Sequence, residues 1–166
     1  PFFILAGELM NAGGLSRRII DLARVFVGHI QGGLGYVAIA ASVMLASMSG
    51  SAIADTAALA TLLLPMMRQQ RYPEGTSAGL IASGGIIAPI IPPSMPMVIY
   101  GVTTNTSISK LFLAGIVPGL LMAVSLVLVW RRIAGKEQLP VAEKTDWSHR
   151  RRVLASSIWA LFMPVI

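Results

Sequence analysis

Residues 76–101 read TSAGLIASGGIIAPIIPPSMPMVIYG, and this stretch decides the fold. It is apolar and long enough to enter a bilayer, since about 20 residues cross the ~30 Å hydrocarbon core. It also holds the pair Gly84-Gly85, followed by Pro89, Pro92, Pro93 and Pro96. An interior proline removes an intrahelical hydrogen bond and collides with the preceding turn, at a cost of about 3 kcal/mol or more. Four prolines this close together predict two half-helices joined by an unwound segment. The carbonyls freed there need partners, because irregular backbone at membrane depth survives only where protein buries it or water reaches it.

Immediately upstream, Gly33 to Pro65 forms two apolar arms joined only by Ser47-Met48-Ser49-Gly50-Ser51. Each arm has about 16 residues, roughly 24 Å of helix, which is short of the hydrocarbon core. Two arrangements fit: arms that span a thinned region with a minimal turn, or a re-entrant hairpin whose Ser/Gly tip stops inside the membrane. The hairpin is favoured, because cationic segments flank it on both sides and its tip is uncharged and rich in hydroxyls. Downstream, Leu111 to Trp130 reads as a plain spanning helix of scaffold character, with Trp130 and Arg131 as interface anchors. Further upstream, SRRIIDLARVFVGH (residues 16–29) sets Arg17, Asp21 and Arg24 on one helical face, opposite Ile19, Ile20, Phe26 and Val27. That pattern predicts an amphipathic helix along the cytoplasmic surface.

The composition agrees with a membrane chain. Of 166 residues, 55% are hydrophobic and 12% charged, where soluble proteins average about 25% charged. Mean hydropathy is +0.74. The net charge of +6 reflects topology rather than nucleic-acid binding, because the cations sit between the apolar runs. Arg17, Arg18 and Arg24, then Arg68 and Arg71, then Arg131, Arg132, Lys136, Lys144 and Arg150 to Arg152 mark cytoplasmic segments. The connection around Thr103 to Ser109 is followed only by Lys110 and is assigned to the far side, where it forms an ordinary outward loop. There is no cysteine. The chain opens at Pro1 without a basic leader and closes inside the apolar SSIWALFMPVI, so both ends are expected to be fragment ends. The fold class is therefore an all-α polytopic membrane protein with a helical hairpin followed by a proline-broken helix.

Three stretches in this order and spacing, PFFILAGELMNAGGLSRRIIDLA, SGSAIADTAALATLLLPMM and GGIIAPIIPPSMPMVIYG, resemble the large permease subunit of tripartite ATP-independent periplasmic (TRAP) transporters. SISKLFLAGIVPGLL and the terminal WALFMPVI extend the resemblance over nearly the whole chain, up to the start of the family's second half. GGLGY, SGSAIADTAA and SGGIIAPIIPPS resemble the sugar-acid, keto-gulonate-like members. The resemblance implies an elevator-type transport domain of two inverted repeats, of which this chain holds the first. It divides the chain into a helix end with an interfacial helix over 1–32, the hairpin over 33–67, the discontinuous helix over 75–103 and a scaffold helix over 107–131. A cytoplasmic linker over 132–152 and the start of another transmembrane helix over 153–166 follow. Uptake of a small organic or sugar-derived carboxylate across the bacterial inner membrane is implied, driven by sodium as coupling ion, with no cofactor. The implied partners are a small TRAP permease subunit, a periplasmic solute-binding protein and membrane lipid.

By the same resemblance, Ser49, Gly50 and Ser51 at the tip would bind sodium together with backbone around Gly84 and Gly85. Their hydroxyl and carbonyl oxygens are hard donors suited to a small cation, although small residues also serve simply to let helices pack closely. Pro92, Pro93 and Ser94, with Asp55 and Thr56, are the substrate-side candidates. Asp55 is the acid of the apolar hairpin, and a charge at that depth is functional by default. Its alternative role is local, as an anion in the first turn of a helix capped by Ser51. Glu8 is read as an interfacial partner of an arginine, and His29 and His149 border interface segments. An intramembrane protease would need a base near a serine, or a second acid. Neither is present, and there is no phosphate-binding loop and no Cys/His metal cluster. A different ion-coupled transporter remains the alternative, because hairpins and broken helices are shared among such folds.

Overall fold

The computed structural model describes residues 15–139, without the side chains of Leu15, Ser16, Val25, Met48 and Ser49. The expected helix end before Gly14, Glu8, His149, most of the linker and the start of the last helix lie outside the described residues. Among the described residues the fold is entirely helical. The helices are α1 (Leu15–Val27), α2 (Gly33–Ser49), α3 (Ala52–Gln69), α4 (Glu74–Gly85), α5 (Met95–Thr103) and α6 (Ile108–Lys136).

α2 and α3 fold back on each other as a helical hairpin and pack together against α4. The turn is tighter than the expected five-residue link, because α2 runs on to Ser49 and only Gly50 and Ser51 separate the arms. Gly50 ends α2 at φ 59° and its N–H donates to the Ala46 carbonyl at 3.3 Å. A left-handed residue at this position is the usual helix stop, and glycine adopts it without a Cβ penalty. Ser51 is extended and caps α3 by accepting from Ala54 N–H at 3.4 Å. The buried face of α3 is Asp55, Leu59, Leu63 and Met67, a row at four-residue spacing on one side of the helix.

α1 is amphipathic as expected, with Arg17, Arg18, Asp21 and Arg24 exposed on one face. Ile19, Ile20, Leu22 and Ala23 are at most 3% exposed, and the helix packs on α2. Its apolar face is covered by protein, leaving Phe26, 58% exposed, beyond the covered stripe.

α6 has 29 residues, about 43 Å of helix, and it is long and apolar enough to cross a membrane. Trp130 is not the exposed interface anchor that its place beside Arg131 suggested: it is 1% exposed. Its indole N–H donates to the Gly32 carbonyl at 2.9 Å, and its ring stacks on Tyr72 with centroids 6.3 Å apart. A side chain at Gly35 would overlap the indole. The ring therefore joins α6 to the start of α2 and to the turn after α3, and protein contacts outcompete the headgroup layer for it. Burial pushes the Tyr72 phenol up from its ordinary range, so the stacked ring stays neutral.

These contacts gather the basic segments at one end of the molecule. Gly32 follows α1 with its Arg24, Tyr72 follows Arg68 and Arg71, and Thr76 on α4 donates to Glu137 after α6 at 3.2 Å. Both arms of the hairpin thus start from the end that the arginines assign to the cytoplasm.

Truncating a buried aromatic in a core costs about 3 to 5 kcal/mol. Trp130→Ala is expected to lose that much in thermal unfolding of the detergent-solubilised full-length protein. Trp130→Phe, which keeps a ring but removes the indole N–H and leaves the Gly32 carbonyl its bond from Gly35 N–H, is expected to lose about 0.5 to 1.5 kcal/mol. Equal small losses for both would mean that the indole does not join α6 to the hairpin.

Candidate functional site: the hairpin tip against the helix break

The proline-rich segment unwinds as the sequence predicts. α4 ends at Gly85, α5 starts at Met95, and residues 86–94 between them are turns and bends with a cis Pro92-Pro93 peptide. Single-turn bonds hold the start of the break: Ile87 N–H to the Gly84 carbonyl at 3.1 Å and Ala88 N–H to the Gly85 carbonyl at 3.2 Å. Ser94 is fully buried. Its hydroxyl donates to the Pro89 carbonyl at 2.6 Å and accepts from Met97 N–H at 3.4 Å, so it ties off the break and caps α5.

The hairpin tip meets this break directly. A methyl group at Gly50 would come within 2.7 Å of the Pro93 carbonyl oxygen and 3.1 Å of Met95 N. Glycine is required there for its φ and for this approach of backbone to backbone. Below the tip, a side chain at Gly85 would overlap the Thr56 hydroxyl, and one at Gly84 would overlap the Ser42 hydroxyl. The break is backed on its other side by α6. A side chain at Gly115 would strike the Ile90 carbonyl, and one at Gly119 would come within 2.6 Å of Ile91.

Four helix ends therefore converge. The C-terminal ends of α2 and α4 present carbonyls and the negative end of their dipoles, while the N-terminal ends of α3 and α5 present N–H groups and the positive end. Such a cluster can hold a small cation among carbonyl and hydroxyl oxygens and an anion against the N-termini. Asp55 sits in the first turn of α3, 1% exposed, with its own N–H donating to the Ser51 carbonyl at 3.0 Å.

Of the residues singled out in the sequence, Gly50 lies against Pro93 and Ser94, Gly85 against Thr56, and Ser51 and Asp55 occupy the first turn beside that contact. Ser49 ends α2 next to Gly50. Gly84 faces Ser42. Tip and break thus meet in one place through residues 29 to 43 positions apart in the chain.

A family model described as the DctM component of the tripartite ATP-independent periplasmic transporter matches residues 1–166. The chain belongs to this TRAP permease family. The large permease protein of the 2,3-diketo-L-gulonate TRAP transporter of Escherichia coli is 58% identical over the whole chain. The sialic acid TRAP large permease of Vibrio cholerae is 43% identical, and the C4-dicarboxylate TRAP large permease of Pseudomonas aeruginosa is 39% identical. The chain spans 39% of the length of each of these relatives. The TRAP resemblance read from the sequence is therefore correct, and these relatives are named as transporter permeases, not enzymes.

Sequence reasoning missed two parts of this candidate site and the distant clamp on α6. Ser42 lies in a uniformly apolar helix, 2% exposed, with its hydroxyl on the Ala38 carbonyl at 2.8 Å. Gly115 and Gly119 form a small-xxx-small step, a readable signal of close helix approach. Gly32 and Gly35, which receive Trp130, carry no local signal of a partner 95 or more positions away.

Gly50→Ala is expected to lower thermal stability by about 1 to 2 kcal/mol from its left-handed φ alone, with the Pro93 contact adding to this. Gly85→Ala should destabilise through Thr56. Adding Thr56→Ala, which removes the struck hydroxyl, should recover part of the loss in a double-mutant cycle, with a coupling of about 0.5 to 3 kcal/mol. Strict additivity would show that the two residues do not touch.

Proposed function

We propose that this chain forms the first half of the moving machinery of a sodium-coupled secondary transporter. It would carry a small organic or sugar-derived carboxylate into the cell across the bacterial inner membrane. A soluble periplasmic binding protein would deliver the substrate, and a small membrane subunit would brace the permease. The observation that carries this reading is the backbone contact between Gly50 and Pro93, which brings four helix ends together.

Sodium would sit among the Ser49, Gly50 and Ser51 oxygens and the Gly84 and Gly85 carbonyls. The Gly85 carbonyl accepts from Ala88 N–H, and a carbonyl retains a second lone pair. A monovalent hard cation needs oxygen donors of this kind more than it needs fixed charge. The Asp55 carboxylate and the negative C-terminal ends of α2 and α4 would balance the ion electrostatically, with Thr56 packed against Gly85. The substrate carboxylate would approach the N-terminal end of α5, where Pro92, Pro93 and Ser94 shape the entry.

The names of the relatives support a carboxylate. 2,3-Diketo-L-gulonate, sialic acid and C4-dicarboxylates differ in size and hydroxylation, and all bear a carboxylate. The identity of 58% to the first favours a sugar-acid substrate.

The test is uptake by proteoliposomes holding the full-length parent permease and its small subunit, with the cognate binding protein loaded with a sugar acid. Uptake should require both the binding protein and an inward sodium gradient. Ser51→Ala should raise the sodium concentration for half-maximal uptake by about tenfold, the equivalent of one charge-assisted contact of ~1.4 kcal/mol. Uptake that ignores sodium, or is unchanged in Ser51→Ala, would refute the coupling site.

A further inference from the structure

We propose that the crevice between α4 and α6 binds an anionic phospholipid, with its headgroup at the basic end of α6 and an acyl chain laid along the crevice toward the break. Two adjoining hollows of about 300 and 390 Å3 share Ser83, Leu126 and Val129 and form one slot. It begins beside Thr76, Trp130 and Ile133 and ends at Ile86 and Ile87, the first residues of the break. From Ile133 to Met122 it follows about 16 Å of α6.

The chemistry of the slot points to hydrocarbon. Its serine hydroxyls are already engaged, Ser83 with the Gly79 carbonyl at 2.8 Å and Ser125 with the Leu121 carbonyl at 2.7 Å. A polar solute would find few groups to bond. The slot opens sideways, since Ile86, Leu121 and Val129 line it and are 57%, 62% and 49% exposed. They continue into the apolar surface that α6 turns outward through Leu120, Val124 and Leu128. A slot open to the flank of a membrane-spanning helix is reached from the bilayer.

The charge at its mouth selects the headgroup. Leu126, Val129 and Ile133 line the slot, and helical spacing sets Lys136 beside its opening and Arg132 on the flank, with Arg131 on the far face of α6. All three cations are exposed. Glu74 is paired with Arg68 at 2.9 Å, and Glu137, held by the Thr76 hydroxyl at 3.2 Å, offsets one of the three cations, which leaves this end of α6 with a positive excess. Basic groups between helices on the cytoplasmic side recognise anionic lipid headgroups.

The test is native mass spectrometry of the full-length parent permease titrated with phosphatidylglycerol and, separately, phosphatidylcholine. Phosphatidylglycerol should bind about fivefold tighter, and combining Arg132→Gln with Lys136→Gln should erase the difference. Ser83→Leu, at an exposed position, should fill the slot and weaken both lipids about threefold without lowering the thermal midpoint. Equal affinity for the two lipids in the unsubstituted protein overturns the proposal, as does undiminished phosphatidylglycerol preference in the paired variant. Failure to retain either lipid means that a helix of the remaining permease occupies the slot. Full competition by soluble glycerol phosphate means that an anion site alone is present; both results also overturn the proposal.

Discussion

The approach of Gly50 to Pro93 is the constraint on which the rest depends. Two segments of irregular backbone, one at a hairpin tip and one in a broken helix, are stable inside a bilayer only if they satisfy or shield each other. With a side chain at position 50 they would be held apart, and both would lose their protein cover. Ser94 relieves part of the same problem from within the break, by taking up the Pro89 carbonyl and the Met97 N–H. The Pro93 carbonyl faces the place where the tip arrives. The oxygen-rich setting that a coupling ion needs is therefore a by-product of how an interrupted helix is accommodated.

The surrounding helices hold that contact in place by close backbone packing. Gly84 and Gly85 seat α4 on the two arms of the hairpin, while Gly115 and Gly119 seat α6 on the break. At the basic end, Trp130 fastens α6 to Gly32 and stacks on Tyr72. α6 is thereby anchored both near the site and about 16 to 22 Å from it, counted along the helix from Trp130 to Gly119 and Gly115. Hairpin, break and α6 share so many tight glycine contacts that sliding one past another would require prying backbone apart.

The break and the hairpin were legible because proline, glycine and uniform apolarity act locally. Pro89, Pro92 and Pro93 crowd too many missing N–H groups into five residues for a regular helix to pass through, and Gly50-Ser51 combines a left-handed stop with a start cap. The TRAP family was legible in the same motifs. Trp130 was misread because interface and core both welcome an indole beside an arginine, and only the partner across the fold decides. α1 shows a related limit: an amphipathic helix reports that one face is apolar and not whether lipid or α2 covers it. Ser42 gave no signal, since a lone serine in an apolar helix normally bonds its own i−4 carbonyl, as it does here, and its contact with Gly84 comes from tertiary packing.

The central claim is that tip and break together make a sodium site, and linkage tests it most directly. Sodium that binds the folded site raises the thermal midpoint of the purified full-length permease. The account predicts a concentration-dependent rise with sodium that potassium at equal ionic strength does not reproduce, and that Ser51→Ala abolishes. Equal shifts with both cations, or a sodium shift that survives in Ser51→Ala, would contradict it.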